Sequence, residues 1–387
     1  MVDSFCEMVR IDSESGREQE FIQYLQKLME RELGASSVID AFGNLVCRVP
    51  ARGSTAAPLL LAAHADTVSP GIGVEPVIQD GVIRSRGETI LGADDKAGIA
   101  EIIAAVKAST RVPPLEIVVV RCEEIGLKGA KNLDYSLIKA TRGVLMDSDV
   151  LDKVVIGGPS HYLIDVEVTG RSAHAGMEPE KGVSAIRAAA LAFQWFPEGR
   201  VDPETTANVG IFRGGAIRNG IPERASLRAE CRSLDHQKAE RLRERIEKAF
   251  REAAANVGAR ADVSTELACR TYRLSEDAPM VQAAMEAIRA CQLEAKTSVI
   301  TGGTDASVYN ENGIETVVLG IGARDEHSVD ESVAIEDMEK AAEILVALLE
   351  RCAYRGRSGG GQSEASGSGR THGPGEKRTG APVQGTE

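Results

Sequence analysis

Short apolar runs alternate with amphipathic segments along the first 150 residues. Helical spacing of apolar residues predicts helices over residues 16–33 and 94–108. Apolar or β-branched runs predict strands at four further places: 44–49, 58–63, 115–120 and 143–146. Strands that alternate with helices in this way predict an α/β fold whose sheet is mixed, mostly parallel and largely buried.

The pattern changes near residue 159, where apolar and polar positions begin to alternate. Half-exposed strands are predicted at 161–169, 208–212, 225–230 and 261–268, with helices at 183–196 and 239–257. These elements predict a separate α+β module with an antiparallel sheet. From about residue 279 the first pattern resumes, with a helix to 293, a strand at 316–320 and a helix at 335–351. We therefore expect a discontinuous domain of residues 1–158 and 271–355, with residues 159–270 inserted.

The last segment, residues 356–387, consists of Gly, Ser, Thr, Pro and charged residues with almost no apolar ones. Such a composition cannot bury enough apolar surface to fold, so a disordered tail is predicted. His372 lies in this tail and is not considered a site residue.

Composition and charge narrow the function classes. The chain carries 58 acidic and 45 basic residues, a net charge of −13, which argues against binding to nucleic acid or to an anionic membrane. No run reaches the ~18 apolar residues that span a bilayer. The seven cysteines include no Cys-x-x-Cys pair, which disfavours a disulfide framework and a cysteine zinc site. Without a recognisable signal peptide, we expect a cytoplasmic protein.

The first candidate functional residues are His64 and Asp66, which end the apolar run at residues 59–66. A neutral imidazole is a common zinc ligand, and a carboxylate two residues on faces the same side of an extended strand. That carboxylate could fix the tautomer of the ring or orient a ligand. Taken alone, such a pair is more often a structural hydrogen-bonding feature than a metal site.

Four further clusters place acidic or histidine residues at the ends of β-rich runs. They are residues 91–98 with Asp94 and Asp95, 121–126 with Glu123 and Glu124, 144–149 with Asp147 and Asp149, and 325–331 with His327. Helix capping or a solvated acidic loop would explain any one of them. Together they predict ligands gathered at the carboxyl ends of a sheet's strands. Two histidines and three carboxylates suit two zinc-like ions that share one bridging carboxylate. In the Glu123–Glu124 pair one member would bind metal and the other act as general base, and the residues alone leave open which.

These clusters resemble, in order, the motifs of the M20 metallopeptidases and within them the peptidase T-like branch. The matching stretches are residues 63–68, 91–98, 123–130, 145–147 and 327–331, and the resemblance covers about residues 1–352. It implies that Asp94 bridges two metal ions, that His64 and Asp147 hold one ion, and that Glu124 and His327 hold the other. It further implies that Glu123 is the general base and that Asp66 orients His64.

The resemblance also gives the inserted module a role. It implies a zinc-exopeptidase-like catalytic domain and a lid and dimerisation domain, whose His174, Asn219 and Arg232 reach the substrate. His174 would stabilise the oxyanion, from the partner subunit of a homodimer, and Arg232 would bind a substrate carboxylate. Residues 302–305 resemble another loop near the substrate.

The expected function is hydrolysis of short peptides, in the first place tripeptides, with two zinc ions or with manganese or cobalt. A carboxypeptidase or an N-acyl-amino-acid deacylase is the alternative of the same class. A non-catalytic dimeric metal-binding protein is the alternative of another class, and the presence of Glu123 beside a full ligand set argues against it. A phosphate-binding protein is disfavoured because no Gly-x-x-x-x-Gly-Lys-Ser/Thr motif occurs.

Overall fold

The computed structural model of the chain describes residues 1–354. Its helices are α1 (Val2–Val9), α2 (Gln19–Leu33), α3 (Ala93–Ala108), α4 (Lys128–Lys131), α5 (Ala185–Ala192), α6 (His236–Asn256), α7 (Pro279–Ala290), α8 (Ala306–Glu311) and α9 (Ile335–Tyr354). Its strands are β1 (Ser36–Ile39), β2 (Leu45–Val49), β3 (Leu59–His64), β4 (Pro76–Gln79), β5 (Val82–Ser85), β6 (Leu115–Val120), β7 (Arg142–Ser148), β8 (Lys153–Val155), β9 (Gly157–Gly158), β10 (Ser160–Thr169), β11 (Gly199–Asp202), β12 (Thr205–Gly214), β13 (Arg224–Ser233), β14 (Arg260–Cys269), β15 (Tyr272–Arg273), β16 (Lys296–Ser298), β17 (Glu315–Gly320), β18 (Ala323–Arg324) and β19 (Ser332–Ala334).

The central sheet has the strand order β1-β2-β6-β3-β7-β17-β8-β16. Strands β6, β3, β7 and β17 run parallel, while β1, β2 and β8 introduce antiparallel pairs. Alternate residues of β3 enter two different apolar clusters, Leu59 and Leu61 on one face and Leu60 and Ala62 on the other. Because both faces are buried, the strand is a continuous aliphatic run rather than an alternating one.

A second sheet, of order β11-β12-β13-β10-β14, is antiparallel throughout. In β10 buried and exposed residues alternate from Tyr162 onwards, because helices α5 and α6 cover only one face of this sheet. Ile164, Val166 and Val168 point into this face and pack with Phe250 of α6 in a separate apolar cluster. This inserted unit has its own core.

The predicted fold class is confirmed: a mixed, mostly parallel sheet carries a separate α+β unit with an antiparallel sheet. The boundaries at residues 158 and 270 stay a prediction, and the predicted tail at 356–387 lies outside the described residues. Within residues 1–354, no helix is both long and apolar enough to cross a membrane.

A small sheet of order β18-β19-β5-β4 escaped the sequence analysis. Its short strands lack a long apolar alternation, since Ile78 is exposed and the buried residues are Ile83, Ala323, Ser332 and Val333. The turn between β4 and β5 is Asp80-Gly81, with φ of 51° and 78°. An Asp-Gly pair at positive φ is typical of a two-residue hairpin turn, so this pair was the signal that would have found the sheet.

Candidate functional site

Three parallel strands deliver site residues to one edge of the central sheet. His64 is the last residue of β3, Asp147 is the sixth residue of β7, and Glu123 and Glu124 follow β6 directly after Arg121 and Cys122. Since β3, β6 and β7 are parallel neighbours, their carboxyl ends meet at the same edge. This convergence was predicted from the sequence.

The other two candidate ligands arrive differently. Asp94 lies in the first turn of α3, where the sequence predicted a helix to begin, but no strand directly precedes it, since β5 ends at Ser85. His327 lies in the loop between β18 and β19, with a positive φ of 61°. Its side chain is 54% exposed, whereas that of His64 is 1% exposed. One side of the site is therefore built from the sheet and the other from a surface loop.

The carboxylate of Asp94 lies within hydrogen-bond distance of both candidate histidine ligands. Its Oδ1 lies 2.9 Å from His64 Nε2, and its Oδ2 lies 3.1 Å from His327 Nε2. Asp147 Oδ1 lies 3.7 Å from the same His64 nitrogen, and Glu124 Oε1 lies 2.8 Å from the same His327 nitrogen. Asp94 thus stands between two pairs of nitrogen and oxygen donors.

This donor set fits two divalent cations. Three groups of side chains place their ligand atoms within 4.8 Å of one another: His64, Asp94 and Asp147; Asp94, Glu124 and His327; and His64, Glu123 and Glu124. The first two groups share Asp94, as expected for a bridging carboxylate. Imidazole nitrogen with carboxylate oxygen suits zinc, manganese or cobalt and does not separate them.

The crowded carboxylates of the site would be stabilised by a bound positive charge. Burial raises the pKa of Glu123 and of Asp147 well above the usual range, because both carboxylates are shut away from water near other acids. Burial acts the same way on Asp94, yet hydrogen bonds with His327 and His64 bring its pKa below the usual value. Hydrogen bonds to Asp94 and Glu124 raise the pKa of His327 to about 10. A dication held between these carboxylates would offset the same crowding of negative charge.

The carboxylate of Asp66 contacts the acidic loop that carries Glu123 and Glu124 more closely than it contacts His64. Its Oδ1 accepts the N–H of Glu123 at 2.9 Å, and its Oδ2 accepts the N–H of Glu124 at 3.2 Å and the hydroxyl of Ser15 at 2.7 Å. His64 Nδ1 lies 2.9 Å from the main-chain oxygen of Asp66 and 3.6 Å from its carboxylate. Asp66 therefore contacts His64 more closely through its main-chain oxygen than through the carboxylate that was expected to orient the ring.

Two buried acids beside the site, Glu331 and Asp305, lie in motifs that the sequence singled out but received no individual role there. Glu331 accepts the N–H groups of Leu91 at 2.8 Å, Gly92 at 2.7 Å and Asp94 at 3.0 Å, so it holds the loop that carries Asp94. Asp305 is fully buried, and neither of its oxygens has a hydrogen-bond partner within residues 1–354. Burial raises the pKa of Asp305 to about 7. The sequence places both within motifs, but only the fold shows what their carboxylates face.

The predicted lid residues His174 and Asn219 lie in two loops that pair with each other. His174 bridges to Gly220 in antiparallel fashion, and the N–H of Ala175 donates to the main-chain oxygen of Asn219 at 3.0 Å. Both side chains are exposed. Among the hydrogen bonds and ion pairs of the described chain, none joins His174 to the metal-ligand candidates.

Arg232, the third predicted lid residue, is already paired. Its Nε and Nη2 donate to the two oxygens of Glu230 at 3.1 and 3.0 Å, and its Nη1 donates to the main-chain oxygen of Thr301 at 3.3 Å. Hydrogen bonds from His161 and Arg232 lower the pKa of Glu230 to about 2, although burial opposes the shift. Arg232 links the antiparallel sheet to the loop at 301–305, and a substrate carboxylate would compete with Glu230 for it.

Comparison with known proteins matches residues 60–351 of the chain to the model of peptidase family M20/M25/M40. Protein YqjE of Bacillus subtilis (strain 168) is 36% identical over 366 residues, which span 91% of this chain and 98% of YqjE. The crystal structure of aminopeptidase PepT from Bacillus cereus ATCC 10987 is 36% identical with a TM-score of 0.83, and covers 91% of this chain and 98% of its own. A tripeptidase (SAV1512) from Staphylococcus aureus subsp. aureus mu50 is 34% identical with a TM-score of 0.86, and covers 91% of this chain and 97% of its own.

Proposed function

This chain belongs to peptidase family M20/M25/M40 and is a metallopeptidase, and we propose that it is a two-metal exopeptidase that hydrolyses short peptides, tripeptides first among them. The observation that carries the proposal is the pair of ligand groups that share Asp94, with the buried carboxylate of Glu123 beside them. The choice of tripeptides is supported by the 34–36% identity to an aminopeptidase and a tripeptidase.

In this proposal His64 and Asp147 would hold one ion, Glu124 and His327 would hold the other, and Asp94 would contribute one oxygen to each. When bound, such a pair of ions, for which we propose zinc, would lower the pKa of a bound water and polarise the scissile carbonyl. The side chains of the protein would bind the peptide and move the proton.

Glu123 is proposed as the general base. The Glu123 carboxylate lies close to the Glu124 carboxylate and the His64 imidazole, in the third of the ligand groups given above, and the residue is 9% exposed. We assign Glu123 to proton transfer because the two groups that share Asp94 form complete ligand sets without it. Glu123 takes the proton of the attacking water and delivers it to the nitrogen of the leaving amine. Burial, which raises the pKa of Glu123, favours this double use because a group with a pKa nearer neutrality both accepts and returns a proton.

His174 is proposed to stabilise the oxyanion. Its Nδ1 accepts the N–H groups of Gly176 at 3.2 Å and Met177 at 3.1 Å. With Nδ1 used as an acceptor, a neutral ring carries its proton on Nε2, where it can be donated to a developing negative charge. Since His174 is exposed and has no bond to the ligand candidates within residues 1–354, we propose that it serves the site of a second copy in a homodimer.

The experiment is a substrate panel on zinc-, manganese- and cobalt-loaded protein. The panel contains matched di-, tri- and tetrapeptides, the same tripeptide with an acetylated amine or an amidated carboxylate, and an N-acetyl amino acid. We expect the free tripeptide to be cleaved with the highest kcat/KM and chelation to abolish cleavage.

The other outcomes separate the alternatives. Preference for the acetylated amino acid would replace the proposal with a deacylase, and release of the carboxyl-terminal residue from acetylated peptides would replace it with a carboxypeptidase. Metal binding without turnover of any member of the panel would leave a binding protein and refute the proposal.

A further inference from the structure

The segment from Val120 to Glu124 makes a sharp turn that secondary structure does not hold. Strand β6 ends at Val120, and Cys122 has a positive φ of 56°, a conformation that is unfavourable for a residue with a Cβ. Such a backbone conformation persists only where surrounding groups hold it in place.

Side chains from three distant segments accept the main-chain N–H groups of this turn one after another. Asn44 accepts that of Arg121 at 3.1 Å, and Glu18 accepts that of Cys122 at 3.2 Å. Asp66 accepts those of the next two residues, at 2.9 and 3.2 Å. Four successive amides are thus satisfied by tertiary contacts alone, and the positions of Glu123 and Glu124 depend on these acceptors.

Glu18 has the most contacts of these acceptors. It is fully buried, and its Oε1 accepts the N–H of Gly16 at 2.7 Å, the N–H of Cys122 and the Cys122 thiol at 3.2 Å. Its Oε2 accepts N–H groups from both Nε and Nη2 of Arg121, at 2.9 and 2.7 Å, as a pair of charge-assisted hydrogen bonds. Glu18 stands more than 100 residues before the turn, so these bonds fix the turn against the start of α2.

From this arrangement we propose that Glu18 is a positioning residue of the active site, which acts through Arg121 and Cys122 to hold the base Glu123 and the ligand Glu124 in place. This inference rests on the roles proposed above for that pair. Groups that orient metal ligands typically change metal affinity or activity 10–100-fold when they are removed, and an error of about 1 Å in a reacting group costs about 100-fold in rate.

The test compares Glu18→Gln with Glu14→Gln. Glu14 lies on the same segment, and its Oε1 accepts the N–H of Gly71 at 2.9 Å, away from the turn. The amide nitrogen introduced at position 18 is a donor and cannot accept from Arg121 or Cys122. We expect Glu18→Gln to weaken binding of one of the two zinc ions about 10–100-fold and to lower kcat for a tripeptide at least tenfold with KM changed less than threefold. Glu14→Gln should leave all three within threefold.

Two readouts keep this inference separate from the proposed function. Zinc affinity, measured by titration of chelator-treated protein, reports on Glu124 even if the wild-type chain cleaves no tripeptide. A Glu18→Gln variant that melts at a lower temperature but keeps both zinc affinities and kcat within threefold would show a purely structural residue and overturn the proposal.

If Glu18→Gln does not fold, Arg121→Lys takes its place, because lysine keeps the charge but cannot form the paired bond. Unchanged kcat and zinc affinity in that variant would equally overturn it.

Discussion

Replacement of Asp66 by asparagine tests the geometry of the acidic loop most sharply, because the two side chains have the same shape. The carboxylate of Asp66 is fully buried and accepts three donors, the N–H groups of Glu123 and Glu124 and the hydroxyl of Ser15. Asparagine offers one acceptor oxygen and turns the other position into a donor, so at least one of the three donors loses its partner.

The magnitude follows from these contacts. An unpaired buried donor costs about 1–3 kcal/mol, and the remaining bonds lose the extra strength of a charged acceptor, about 1 kcal/mol more. We expect Asp66→Asn to lower the free energy of unfolding of the metal-free protein by about 2–4 kcal/mol. Misplacement of Glu123 and Glu124 should lower kcat/KM for a tripeptide about 100-fold.

The assay is urea unfolding in the presence of a chelator, paired with steady-state kinetics at saturating zinc. Ser15→Ala is the matched control, since it removes one of the three donors and leaves no main-chain N–H unpaired. Its expected cost is about 0.5–1.5 kcal/mol of stability, with kcat/KM within about threefold. The reasoning would be refuted if Asp66→Asn behaved like Ser15→Ala in both measurements.

Three other predictions address the ions, the helix beneath them and the second subunit. Hydrogen bonds raise the pKa of His327 to about 10, so a metal ion that binds below that pH must displace a proton from this residue. Zinc affinity measured by titration should therefore fall up to about tenfold per pH unit as the pH drops from about 9 to about 6. A zinc affinity that does not change with pH would contradict this. Gly98→Ala would place a Cβ 2.5 Å from the main-chain oxygen of Met146, so we expect a loss of about 1–3 kcal/mol in urea unfolding, and an unchanged midpoint would show that α3 shifts freely. A mixture of His174→Ala and Glu123→Gln subunits should regain part of the activity that each variant lacks, and verified heterodimers without activity would exclude action between subunits.

The order of elements and the convergence of the ligands were predictable because they depend on local patterns. The strand Leu115–Val120 has the predicted bounds, since a short aliphatic run that ends in charged residues leaves little choice of end points. His64, Glu124 and Asp147 follow or end such runs, and parallel strands bring their carboxyl ends together whatever lies between them.

The contacts that hold the site depend on pairs of residues far apart, and local patterns do not contain them. Glu18 reads as an ordinary surface acid at the start of an amphipathic helix, yet it is fully buried against Arg121. For Arg232 the resemblance implied only a contact with a substrate carboxylate, and its pairing with Glu230 two residues before it depends on the side-chain orientation that β13 imposes. The turn before α3 belongs to the same class, because the N–H of Asp94 donates to Glu331, which lies 237 residues later in the chain.

The central claim is that Glu123 moves the proton in a site whose ligands are complete without it. The most direct measurement is the metal content and the tripeptide turnover of Glu123→Gln beside the wild-type chain. The account predicts two bound ions per chain in both proteins and a kcat lowered about 100- to 10,000-fold in the variant. Turnover within tenfold of the wild type, or loss of an ion from the variant, would contradict it.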